Sequence, residues 1–268
     1  VEPAGKVIVV TGGAAGMGEA MCRRFAAVGA AVVVADIDAP GTARVADEIG
    51  GLGVVTDVSD EAQVIDLVHA AIAEHGRIDV FVSNAGVLWG EPHDGVTPLH
   101  ERGNPWASNQ AWQRVWDVNV MPQVYAARAV LPHMVERGSG YLIQNASAAG
   151  LLTALGNAPY ATSKHAVLGL TEWLSIHYGG NGIRVSCIVA EGVRTAMLRG
   201  AQGEWFAVAG AITAEEAADC VIDGMRKEQF LILTHPQVEK YFRGKAADYD
   251  EWIAKMRKLH AKTPGLAS

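Results

Sequence analysis

Short apolar runs alternate along this chain with longer stretches of helical spacing. Lys6-Val-Ile-Val-Val-Thr11 is a continuous β-branched run, as a strand buried on both faces requires, and it breaks at Gly12-Gly13. Helical spacing follows from Glu19 to Val28, and the cycle then repeats. Strands are predicted at Val32 to Ala35, Gly53 to Thr56, Ile78 to Val82, Tyr141 to Gln144, Arg184 to Val189 and Phe230 to Leu233. Helices are predicted at Gly41 to Ile49, Glu61 to His75, Gln110 to Glu136, residues 157 to 178 and Ala214 to Arg226. A charged amphipathic tail from Val238 to His260 reads as helical too. This order predicts an α/β chain, a single-domain doubly wound parallel sheet with helices on both faces, over residues 1 to 268. The rhythm fails from Trp89 to Asn109, a long proline- and glycine-bearing loop, and again from Glu191 to Gly210.

Composition narrows the function. Half the residues are hydrophobic and 19% are charged, which a packed core needs and a disordered chain lacks. The formal net charge of -7 carries no basic cluster, so nucleic acid and anionic membrane surfaces are not expected partners. No apolar run reaches transmembrane length. Cys22, Cys187 and Cys220 are far apart and form no metal or disulfide pattern, which points to reduced thiols in a cytoplasmic protein. His93, Asp94, His100 and Glu101 cluster in the long loop without the spacing of a known metal site, so no metal is expected.

Thr11-Gly-Gly-Ala-Ala-Gly-Met-Gly18 follows a strand and opens a helix. Glycines at Gly12, Gly16 and Gly18, with Ala15 and Met17, let a backbone turn approach a pyrophosphate whose charge the helix N-terminus stabilises. Tight packing alone also produces such turns. Asp36 ends the second strand, where a carboxylate accepts hydrogen bonds from ribose hydroxyls and repels a 2′-phosphate. With no arginine or lysine in the loop or just after Asp36, NAD is expected over NADP.

Tyr160 and Lys164 stand four residues apart in a predicted helix and share one face. An ammonium beside a phenol favours the phenolate, and Ser147 can hydrogen-bond the same substrate oxygen. This is acid–base equipment for carbonyl and alcohol chemistry.

Thr11-Gly-x-x-x-Gly-x-Gly18, Asn84-Ala-Gly86, Ser147 and Tyr160-x-x-x-Lys164, in this order, resemble the short-chain dehydrogenase/reductase family over residues 5 to about 235. The resemblance implies a Rossmann-type fold, a nicotinamide dinucleotide cofactor and a homodimer or homotetramer. It implies that Tyr160 is the catalytic acid/base, that Lys164 holds the nicotinamide ribose, that Ser147 orients the substrate oxygen and that Asn119 completes a water-linked proton relay. It further implies Asp36 and Ile37 at the adenosine ribose, Asp57 and Val58 beside adenine, Asn84, Ala85 and Gly86 along the cofactor, and Val193 and Thr195 at the carboxamide. Ala190 and Glu191 depart from the family pattern, which usually has proline at the first and often glycine at the second. Glu191 either shapes substrate choice or points to solvent.

The expected activity is therefore NAD-dependent interconversion of a secondary alcohol and its ketone. A non-catalytic NAD-binding sensor or an interaction protein remains the alternative. Trp89, Trp106, Trp112, Met197, Leu198, Trp205 and Phe206 suggest apolar substrate walls, although core packing accounts for such residues as well.

Overall fold

The computed structural model describes residues 1–89, 107–199 and 210–263. Seven strands form one parallel sheet: β1 (Val7–Thr11), β2 (Ala31–Asp36), β3 (Leu52–Val55), β4 (Val80–Ser83), β5 (Gly140–Asn145), β6 (Ile183–Val189) and β7 (Leu231–Leu233). Their order is β3-β2-β1-β4-β5-β6-β7. Connections therefore run outward in one direction up to β3 and in the other from β4. The change of direction opens a crevice at the carboxyl ends of β1 and β4.

Alternation within each strand sorts the core into two faces. Ile8, Val10, Val32, Val34, Val80 and Val82 pack against α1 (Gly16–Ala27) and α2 (Ala39–Ile49), and Tyr141, Ile143 and Ile188 continue this layer. Val9, Val33, Phe81, Leu142 and Val185 face the other way, onto α3 (Glu61–His75) and the next long helices. Full burial of each such side chain contributes roughly 1.5–3 kcal/mol, so a shift of register by one residue would exchange the two layers and is strongly disfavoured.

Two predicted helices are each divided. Gln110 to Glu136 becomes α4 (Asn109–Asn119) and α5 (Met121–Glu136), separated at Val120. Pro122 explains the break, because it has no N–H for the carbonyl four residues earlier and its ring crowds that carbonyl. The tail becomes α10 (Gln237–Ala247) and α11 (Tyr249–Lys262), parted at Asp248, whose carboxylate accepts from Glu251 N at 2.8 Å and starts the second helix. Between them in sequence lie α6 (Ala148–Leu152), α7 (Ala158–Tyr178), α8 (Ala196–Arg199) and α9 (Ala214–Arg226). The segments α6 and α8 fall where irregular chain was expected. Of the long loop, residues 90 to 106 lie outside the described residues, and α4 begins behind Ser108, whose hydroxyl accepts from Ala111 N at 3.1 Å. Among the described residues no helix is long and apolar enough to cross a membrane.

Candidate active site

A cavity of about 1110 Å³ occupies the crevice at the strand ends. Its floor is the turn from β1 into α1. Gly12 has φ of 68°, and a Cβ there would approach Ala85 Cα at 2.9 Å. A Cβ on Gly18 would run into the Gly12 carbonyl oxygen and lie 2.7 Å from Asn84 Nδ2. Ala15 precedes α1 and no side chain caps it, so the first backbone N–H groups of the helix are left for a ligand. Gly12, Ala15, Gly16, Met17 and Gly18 all line the cavity, and this cradle fits a dinucleotide pyrophosphate.

Asp36 lines the cavity at the end of β2. Its carboxylate accepts from Ala14 N and from Asp38 N, each at 3.1 Å, which fixes it against the glycine turn. Sequence reading missed Arg44. This guanidinium reaches back from α2 to donate to the Ala14 carbonyl at 3.0 Å, but it also pairs with Glu19 at 2.8 Å and Glu48 at 3.5 Å, which offset its charge. Ile37, Asp57 and Val58 are not among the residues that line the cavity. Ile37 is exposed, Val58 is buried in the core, and Asp57 accepts from Ser59 N at 2.9 Å and Ser59 Oγ at 2.6 Å. Those hydrogen bonds lower the Asp57 pKa against a burial that raises it.

A polar chain crosses from the glycine turn to α7. Asn84 Nδ2 donates to the Thr11 carbonyl at 3.0 Å, Asn145 Nδ2 donates to Asn84 Oδ1 at 2.9 Å, and Lys164 Nζ donates to the Asn145 carbonyl at 2.9 Å. Asn145 was not predicted; the sole signal for it is an amide at the end of a strand beside Ser147. Asn84, Ala85 and Gly86 line the cavity where β4 ends.

Ser147, Tyr160 and Lys164 converge on the same cavity. Ser147 caps α6, accepting from Ala149 N at 3.1 Å and donating to the Ala190 carbonyl at 3.2 Å. Asn157 caps α7 through the Tyr160 N–H at 3.0 Å and ties that helix to the Leu88 carbonyl at 2.8 Å. One turn beyond Tyr160, Lys164 holds its Nζ 5.5 Å from the phenol ring centroid. Burial pushes the Lys164 pKa down to about 8, so the ammonium form still predominates at pH 7. Cys187 lies near it, and burial pushes that thiol up to about 12, leaving it neutral.

Asn119 does not line the cavity. It is fully buried at the end of α4, where its Oδ1 accepts from Val87 N at 2.8 Å and its Nδ2 donates to the Val87 carbonyl at 3.0 Å and Ser163 Oγ at 3.1 Å. Its side chain thus positions the chain after β4 against α7. Val193 and Thr195 line the opposite wall, as do Met197 and Leu198. Trp89 and Trp112 do not, while Trp106, Trp205, Phe206 and the His93, Asp94, His100 and Glu101 group lie outside the described residues.

The tail had no expected part in the site, yet α10 and α11 form the outer wall. Tyr241, Trp252, Met256 and Leu259 present apolar surface to the cavity. Lys245 anchors this wall: its buried ammonium donates to the Leu151 carbonyl at 2.6 Å, near the carboxyl end of α6, and lies 5.2 Å from the Tyr249 ring centroid.

The chain matches the short chain dehydrogenase family over residues 6–204. It is 34% identical over 222 residues to borneol dehydrogenase, mitochondrial, from Lavandula x intermedia, covering 81% of this chain and 82% of that protein. It is 33% identical over 198 residues to 3beta-hydroxysteroid dehydrogenase 2 from Eggerthella lenta, covering 72% of each. Among solved structures, a short chain dehydrogenase/reductase from Burkholderia phymatum in complex with NAD superposes with a TM-score of 0.78 at 29% identity, over 93% of this chain and 96% of that one.

Proposed function

Because this chain belongs to the short-chain dehydrogenase family, we propose that it is an NAD-dependent oxidoreductase that interconverts a hydrophobic secondary alcohol and its ketone. The observation that carries the reading is the convergence of Ser147, Tyr160 and Lys164 on the cavity that the glycine turn and Asp36 also line. The relatives named for borneol and for 3β-hydroxysteroids support an alcohol on a hydrocarbon framework, as do the apolar side chains of α10 and α11.

When bound, NAD supplies the hydride acceptor. The turn at Gly12, Ala15, Gly16, Met17 and Gly18 would hold its pyrophosphate and Asp36 its adenosine ribose; Ile37, Asp57 and Val58, which follow β2 and β3, would flank the adenosine end although they do not line the cavity. Asn84, Ala85 and Gly86 would lie along it, and Val193 and Thr195 would meet its carboxamide. Lys164 has N–H donors beyond the one given to Asn145, and these serve the nicotinamide ribose. Tyr160 Oη removes the alcohol proton during oxidation and returns it during reduction, assisted by the Lys164 cation. The Ser147 hydroxyl, which otherwise donates to the Ala190 carbonyl, donates a hydrogen bond to the substrate oxygen and keeps its proton. Asn119, its amide bonded to Val87 and to Ser163, serves the site by holding the chain after β4 against the helix that carries Tyr160 and Lys164.

Free, buried Cys22 and Cys187 suit a reducing cytoplasm. An apolar groove along α5 and α7, lined by Leu131, Val135, Leu170 and Tyr178 beside half-exposed Trp173, supports a homodimer or homotetramer.

The test follows reduced-nicotinamide absorbance with NAD or NADP and a panel of hydrophobic secondary alcohols, for the wild type and Tyr160→Phe. NAD-linked turnover should disappear in the variant while NAD still binds. Tight NAD binding with no turnover of any alcohol or ketone would replace the enzyme by a sensor.

A further inference from the structure

Glu191 stands where the chain departs from its family's pattern, and its surroundings give that departure a use. Its backbone is held on both sides. The preceding carbonyl, of Ala190, accepts from Ala148 N at 2.7 Å and from Ser147 Oγ at 3.2 Å. Its own N–H donates to His235 Nδ1 at 3.3 Å, and Thr234 Oγ1 lies 2.7 Å from that same nitrogen. Because the Glu191 N–H can only donate, Nδ1 is the acceptor in that bond. The root of the Glu191 side chain is therefore fixed one residue from the carbonyl that holds Ser147.

The side chain is half-buried, lines the cavity and is not turned loose into solvent. Glu191 Oε2 accepts from Gln237 Nε2 at 2.7 Å, and Gln237, the first residue of α10, lines the cavity as well. Glu191 Oε1, Gln237 Oε1 and the second N–H of Gln237 have no partner among the described residues. The pair thus offers acceptors and a donor at a cavity whose outer wall joins the apolar Tyr241, Trp252, Met256 and Leu259 to the charged Lys240, Asp248, Glu251 and Lys255.

We propose that Glu191 and Gln237 bind a second hydroxyl of the substrate, so that the enzyme acts on apolar diols or hydroxyketones rather than on simple alcohols. This rests on the alcohol dehydrogenase reading above. A hydroxyl donates to the carboxylate and accepts from the amide, satisfying both. An ammonium only donates and leaves the Gln237 N–H unpaired. A carboxylate only accepts, and the Glu191 charge repels it. Discrimination is strong in this geometry, because a substrate lacking the hydroxyl leaves partly buried polar atoms without a partner.

The experiment uses 2-octanol and the octanediols that carry a second hydroxyl at each position from carbon 3 to carbon 8. It compares kcat/KM for wild type, Glu191→Leu and Glu191→Gln, and measures binding of the same compounds to each NADH complex by calorimetry. For at least one diol the wild-type preference over 2-octanol should be about tenfold or more. That ratio should collapse towards unity in Glu191→Leu and lie between in Glu191→Gln. Absence of any diol preference, a preference that survives in Glu191→Leu, or a loss confined to NAD affinity overturns the assignment. If no compound is oxidised yet a diol binds preferentially and loses that preference in Glu191→Leu, the hydroxyl site stands and the dehydrogenase reading falls.

Discussion

Lys164→Met exchanges a buried ammonium for an apolar side chain of similar length, and the structure sets the sign and pH window of the effect. Lys164 is 3% exposed, and burial pushes its pKa from 10.5 down to about 8. Below about pH 8 the folded and unfolded chains both carry the proton; between about 8 and 10.5 the unfolded chain binds more. Wild-type stability therefore rises with pH through that window, as a buried cation that opposes folding is neutralised. The full effect is roughly 3 kcal/mol, of which about 1 kcal/mol develops between pH 7 and pH 9. Methionine also loses the bond to the Asn145 carbonyl, which shifts the difference at any one pH but not its slope. Urea unfolding of the apoprotein, followed by tryptophan fluorescence at pH 7, 8 and 9, gives the comparison. The thiols of Cys22 and Cys187, which burial pushes up to about 12, stay neutral over this range in wild type and variant. Wild type should gain about 1 kcal/mol on the variant from pH 7 to 9. Parallel curves would mean that Lys164 titrates in the fold as it does unfolded, and its burial would no longer count in the argument for its role beside Tyr160.

Three further substitutions address the cofactor turn and the outer wall. Asp36→Ser removes the carboxylate held by Ala14 and Asp38 and should raise the NADP to NAD ratio of kcat/KM by on the order of tenfold, while an unchanged ratio would take Asp36 out of cofactor choice. Gly18→Ala drives a methyl into the Gly12 carbonyl and should weaken NAD binding, measured by calorimetry, by on the order of tenfold or more; wild-type affinity would show that the turn relaxes freely. Lys245→Met leaves the Leu151 carbonyl without its cation and should cost about 2 kcal/mol in urea unfolding, with a fall in kcat as the helix capped by Ser147 loses its anchor. Unaltered stability would show that the bond contributes nothing net.

The sequence by itself determined the sheet and the line of the cofactor turn. Val9 with Val33 and Ile8 with Val10 alternate at the period of a strand, and Gly12 and Gly18 fall within one strand-to-helix turn, so both signals are local. The Tyr160 and Lys164 spacing is equally local, since one helical turn places the two on one face. Where a break depended on context, the sequence misled: apolar spacing runs straight through Val120 and Asp248, but Pro122 and the capping carboxylate of Asp248 divide those helices. Only the tertiary structure decided that α10 and α11 close the cavity, that Arg44 reaches the glycine turn, and that Asn145 joins Asn84 to Lys164. It also put Glu191 on the cavity wall, bonded to Gln237 46 residues away in sequence. Hydrophobic period and turn chemistry act over a few residues and can be read along the chain. A hydrogen bond or wall between remote segments exists only once the sheet has fixed where each segment ends.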